Sequence, residues 1–139
     1  MARAKGNPQA GLVDWGLLLL RVGLGAAFIT HGVPKLLGGP ETWQALGGAM
    51  TNLGVHFAPA VWGLAAALSE AGGGLLFALG LLFRPACAAL LATMAVALVM
   101  HLGKGDPFLV YSHALDDGVV FLALFIAGPG SLSLDRLRR

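Results

Sequence analysis

The chain has 139 residues, of which 57% are hydrophobic and only 12% charged, and its mean hydropathy is +0.78. Soluble domains carry about 25% charged residues, so the composition excludes one and points to a single integral membrane domain, residues 1–139. The net charge of +2 does not imply a nucleic-acid partner, because lysines and arginines sit at the ends of apolar runs and form no patch.

The polar start, MARAKGNPQAG, leads into an apolar run that reaches spanning length, carries a charge and has no A-x-A-like site after it. A cleaved signal peptide is not expected. The first span is drawn at about 12–33 and reads on to Lys35. On a helix of 3.6 residues per turn, Asp14, Leu17, Leu18, Arg21, Gly25, Phe28, Gly32 and Lys35 lie within roughly 40° of one line. That polar face must point into a bundle. A guanidinium in mid-membrane costs at least ~2.5 kcal/mol unless something pairs with it.

Some two dozen residues follow before the second span, and Trp43, Leu46, Met50 and Leu53 recur among them at helical spacing. Two readings stand: a short amphipathic helix on the outer membrane surface, or an irregular Gly-rich loop with interfacial anchors. The second span, at about 58–83, carries Glu70 on a strip of small residues, Gly63, Ala66 and Gly74, which allow close backbone approach. Arg21 and Glu70 lie near the midpoints of antiparallel spans, so an Arg21–Glu70 ion pair is expected. It would either line a functional cavity or clamp helix register.

Phe83-Arg84-Pro85 leaves room only for a tight antiparallel connection to the third span, about 85–102, with Pro85 in its first turn. Cys87, Met94 and His101 share one face there, as in ordinary bundle packing. Cys87 is the only cysteine, so the sequence holds no disulfide, C-x-x-C pair or iron–sulfur motif. The fourth span is drawn at about 112–127. An earlier start is open, because Asp106-Pro107 reads as an N-cap and N1 pair. Asp116 and Asp117 are ~100° apart on a helix, so only one can face the bundle. An earlier start would bring both towards mid-membrane.

With both termini cytoplasmic, Arg3, Lys5, Arg84, Arg136, Arg138 and Arg139 fall inside and only Lys35 and Lys104 outside. His31, His56, His101 and His113 then all lie on the outer side, where Lys35, Asp116 and Asp117 complete a polar vestibule. No H-x3-H or H-E-x-x-H spacing supports a metal or haem there.

LLRVGLGAAFITHGVPKL in the first span, Glu-Ala-Gly-Gly-Gly and GLLFRPA in and after the second, His-Ala-Leu-Asp in the fourth and the GPGSLSLD tail together resemble the DoxX family of small membrane proteins. The resemblance covers Leu18 to Asp135. It implies an all-α, antiparallel transmembrane four-helix bundle in the cytoplasmic (inner) membrane of a prokaryote. It also implies a subunit of a membrane oxidoreductase assembly, such as a thiosulfate to quinone oxidoreductase or a complex linked to thiol and superoxide stress. The polar family positions would be Arg21, His31, Lys35, Glu70, Arg84 and Asp116, with His113 a rival for the last.

The leading expectation is therefore a subunit that exchanges electrons with quinone. Arg21, Glu70 and Asp116 are the catalytic candidates. His31, Lys35, Phe28 and Phe77 are the candidates for holding the quinone, with Trp62 a further ring partner. Besides the lipid bilayer, the expected partners are a soluble or membrane redox protein, which would supply any sulfur chemistry, and further copies of the chain through its small-residue strip. The alternatives are a non-catalytic scaffold subunit and a small-solute carrier or channel.

Overall fold

The structure is a computed structural model and describes residues 8–138; Arg3, Lys5 and Arg139 of the charge count lie outside these. Among the described residues, four helices are long and apolar enough to cross a membrane, and they form an all-α antiparallel bundle. They are α1 (Pro8–Leu37), α3 (Pro59–Leu79), α4 (Phe83–Lys104) and α5 (Phe108–Ala127). Between the first two lies the short helix α2 (Gly39–Gly47), extended by a 3₁₀ turn over Gly48–Leu53. A last turn of helix, α6 (Leu134–Leu137), closes the tail.

The connection after α1 is helical and does more than rest on a surface. Its Gly47 meets Gly63 of α3 so closely that a Cβ on Gly47 would stand 1.7 Å from the Pro59 carbonyl oxygen, and one on Gly63 would stand 1.7 Å from that of Trp43. Only paired glycines permit this contact. The Trp43 indole N–H donates to the carbonyls of Lys35 at 3.1 Å and Leu36 at 3.3 Å. It thereby satisfies acceptors that the end of α1 leaves without helical partners. The last turn of α1, with Lys35 in it, is held by α2.

α1 and α3 run antiparallel at backbone contact. A Cβ on Gly25 would stand 2.7 Å from the Gly74 carbonyl oxygen, and one on Gly32 would stand 2.3 Å from the Ala71 nitrogen. These two contacts fix the register. In the middle of α3, Ser69–Gly73 form a π turn, a wide turn often found where a helix carries a functional side chain. It contains Glu70. The bundle centre is aromatic: Phe28 meets Phe121 edge-on at 5.0 Å, Phe77 stacks on Phe83 at 5.1 Å, and Phe77 meets Phe121 edge-on at 5.3 Å.

The tail after α5 folds back over the end of the bundle where α1 begins. Asp14 accepts from the Ser131 N–H at 2.7 Å and from the Ser131 hydroxyl. The Asp135 carboxylate accepts from the N–H groups of Leu82 and Phe83, each at 2.9 Å, and so caps α4 with a charge that suits a helix N-terminus. Arg21 lies beneath this tail.

α5 starts at Phe108, with Pro107 as its N-cap. Asp106 does not serve as the cap, and its carboxylate turns back to α4. The earlier start puts Asp116 and Asp117 near the middle of the helix.

Candidate functional site

The expected Arg21–Glu70 pair does not form. The Gly25 and Gly32 contacts place Arg21 opposite Gly80 and Glu70 opposite Gly32, roughly ten residues apart along the helix pair, or about 15 Å at 1.5 Å per residue. The midpoints of the apolar runs misjudge depth because α1 continues to Leu37 and the glycines, not the run centres, set the register. Arg21 is fully buried. One terminal nitrogen donates to the Leu132 carbonyl, and the guanidinium sits 5.9 Å from the centre of the Phe83 ring, within reach of a cation–π attraction. Its Nε and Nη1 have no hydrogen-bond partner among the described residues. Gly80 makes room for it, at φ +65 and with a hypothetical Cβ only 1.8 Å from Nη1. Arg21 thus lies under the tail, away from Glu70 and from the two cavities that meet there.

Glu70 is answered from the other end of α1. The Lys35 ammonium donates to its Oε1 at 2.9 Å and Oε2 at 2.6 Å. Lys35 is reached because Trp43 holds the end of its helix, and Glu70 because the π turn presents it towards Gly32 and Lys35. The side chains differ in burial: Lys35 keeps 35% of its surface and Glu70 only 6%. The carboxylate is the inner member of the pair.

Two cavities meet at this pair. The first, of about 470 Å³, lies between α1, α3, α4 and α5 and is the more polar of the two; Lys35, Glu70, His31, His101, His113 and Asp117 line it, with Phe28 at its wall. The second, of about 790 Å³, is an apolar cleft between α2, α3 and α4. Its walls are built largely of alanines, whose small side chains leave the space open, with Trp62, Met50 and Met100 among them. Ala65, Ala89 and Ala92 on its edges are exposed on spanning helices, so the cleft opens sideways towards lipid. Lys35, Glu70 and His101 line both cavities.

The predicted site residues thus separate. Glu70, Lys35, His31 and Phe28 come together around the polar cavity. Phe77 does not: it is fully buried against Phe83 and Phe121 and reaches neither cavity. Asp116 is exposed, and Asp117 lines the cavity in its place. Asp117 continues the buried stripe Ala114, Phe121, Leu124 at intervals of three and four residues, whereas Asp116 points ~100° away. That stripe is legible in the sequence and would have selected Asp117. His56 is exposed and lines neither cavity. Arg84 is also exposed, in the first turn of α4. Among the described residues, no three His, Cys, Asp or Glu side chains are placed to hold a metal ion.

His101, which the sequence places in the outer vestibule without a specific partner, lines both cavities. Its Nδ1 lies 2.7 Å from Asp106 Oδ2. Nothing in the spacing of single residues signals this; Gly105 four residues after His101, with Asp106 next, is the only hint.

The DoxX family model matches residues 16–103. The resemblance read from the sequence ran on to Asp135, whereas the match stops short of α5, and with it of His113 and Asp117. No curated protein and no solved structure matches the chain.

Proposed function

The chain belongs to the DoxX family of membrane proteins, and from that premise we propose that it is the membrane subunit of a quinone-linked oxidoreductase complex. One observation carries this reading: an apolar cleft of about 790 Å³, open towards lipid, ends on the Lys35–Glu70 pair and His101. Ligand sites are mostly apolar with a few placed polar groups. A quinone has that character, with a flat ring, two carbonyl oxygens and a lipid-soluble tail. The cleft suits the ring, its open edge suits the tail, and Lys35 and His101 offer N–H donors to a carbonyl oxygen.

When bound, the quinone supplies two-electron chemistry coupled to uptake of two protons. The residues of this chain hold the ring and manage the protons. Lys35 positions a carbonyl, Glu70 holds Lys35 in place, and the polar cavity behind them, with Asp117, His113 and His31, gives protons a route that does not cross the apolar cleft. Electrons come from a redox partner protein. The basic-residue count supports cytoplasmic termini, and the family resemblance supports the cytoplasmic membrane of a prokaryote; in that reading the site lies in the outer half of the membrane.

Titration of detergent-solubilised protein with ubiquinone-1, read by tryptophan fluorescence, tests the proposal. Saturable quenching is expected, reduced by Trp62→Phe, with affinity about tenfold weaker in Glu70→Gln, the scale of one charge-assisted hydrogen bond. A linear, non-saturating response identical in wild type and Glu70→Gln would contradict it.

A further inference from the structure

α4 ends in a turn whose usual apolar contact is replaced by an acid–base pair. The Gly105 N–H bonds to the Leu102 carbonyl at 3.1 Å and the Asp106 N–H to the His101 carbonyl at 3.1 Å, with Gly105 at φ +72. This is the Schellman arrangement, in which the residue two beyond the cap commonly makes a hydrophobic contact with the residue whose carbonyl accepts the outer bond. Here those two residues are Asp106 and His101, and the contact is the Nδ1 to Oδ2 hydrogen bond of 2.7 Å. Backbone bonds and side-chain bond close one ring, so the imidazole is fixed in orientation.

The consequence is chemical. With Nδ1–H donated to the Asp106 carboxylate, Nε2 is the ring nitrogen left to meet a ligand or exchange a proton. His101 is also one of the three residues that line both cavities. The other two form an ion pair in which Lys35 gives two of its three N–H donors to Glu70 and keeps one for a carbonyl oxygen.

We propose that His101, oriented by Asp106, is the proton-exchanging group between the polar cavity and the cleft: its Nε2 takes a proton from the polar cavity and donates it as a hydrogen bond to the carbonyl oxygen of the ligand in the cleft. The proposal rests on the quinone reading of the cleft. His101 is the group that touches the ligand, and Asp106 is a positioning residue. The charged and titratable groups facing His101 are Lys35 and His31 on α1, Glu70 on α3, and His113 and Asp117 on α5, besides Asp106 in its own turn.

The donor is the imidazolium, so affinity for a quinone, which does not itself titrate, is highest where the ring carries its Nε2 proton and falls when that proton is lost. Ubiquinone-1 affinity is measured by tryptophan quenching from about pH 5 to about pH 8, the window in which histidine changes charge. Wild type is expected to lose about tenfold in affinity across it, the scale of one hydrogen bond to a charged donor. His101→Gln is expected to show a flat profile. Asp106→Asn keeps the backbone bonds of the turn and is expected to lose most of the pH-dependent gain in affinity, because the ring is no longer held with Nε2 towards the cleft. His31 and His113 line the polar cavity alone, so a profile due to them survives in His101→Gln; that survival, or an unchanged profile in Asp106→Asn, overturns the proposal while leaving the cleft reading intact. Absence of saturable binding at every pH removes the cleft reading, and this proposal with it.

Discussion

Lys35→Met is expected to destabilise the protein by about 3 kcal/mol or more, while Glu70→Gln costs clearly less. The asymmetry comes from burial. Removing Lys35 strands a carboxylate that keeps only 6% of its surface, and breaking a buried pair typically costs about 3–5 kcal/mol because the remaining charge is uncompensated. Removing the charge of Glu70 strands an ammonium that keeps 35% of its surface and can turn its flexible stem towards water or headgroups. Replacing both partners by apolar side chains of similar size, as in Lys35→Met with Glu70→Met, is expected to regain most of the loss, since a dry pair and a well-packed apolar contact are often close in energy. Thermal unfolding in one detergent at fixed pH reads all three. Equal losses in the two single variants, or a larger loss in Glu70→Gln, would show that Glu70 is not the buried member.

Gly32→Ala is the second large effect. A methyl at this position would stand 2.3 Å from the Ala71 nitrogen and 2.7 Å from the Glu70 carbonyl carbon. Both are backbone atoms and cannot swing aside, so α1 and α3 must part. Overpacking of this kind costs about 1–3 kcal/mol, and it acts one turn from Lys35, so quinone affinity is expected to fall together with stability. Gly16 and Gly23 lie on the same helix with nothing within 4 Å of a hypothetical Cβ. Alanine there is expected to be neutral or stabilising by up to ~1 kcal/mol, the difference in helix propensity. The same unfolding and binding measurements on the three variants separate the close contact from a general response of α1 to added methyl groups. Gly32→Ala behaving like Gly23→Ala would contradict the register.

The four spans and the polar face of α1 were legible because apolar length and helical periodicity are local properties. Asp14, Arg21 and Lys35 do all turn inward, but each meets a different partner: Ser131, the Leu132 carbonyl and Glu70. Pairing is a matter of register, and register was hidden in Gly25 and Gly32 rather than in the charges themselves. Aligning those glycines with Gly74 and Ala71 would have brought Lys35, not Arg21, to Glu70. The choice of Asp116 over Asp117 failed for a related reason, since one residue turns a side chain through ~100° and only the stripe of Ala114, Phe121 and Leu124 decides between them. Phe77 shares a helix face with Glu70, but it lies two turns further on and reaches the aromatic core. Asp106 read locally as a helix N-cap; the turn at Gly105 gave its carboxylate a partner in the preceding helix instead.

A cleft lined by alanine and closed by a lysine, a glutamate and a histidine is the feature on which the functional reading stands, and occupancy of that cleft can be mapped directly. Photolysis of an azido-ubiquinone in the reconstituted protein, followed by peptide mapping, is predicted to label the cleft walls around Trp62, Ala66, Val96 and Met100. Labelling there should be suppressed by excess ubiquinone-1 and diminished in Lys35→Met. Label confined to lipid-facing residues of α5 such as Val119, Leu122 and Ile126, and insensitive to competitor, would contradict the assignment of the cleft to quinone.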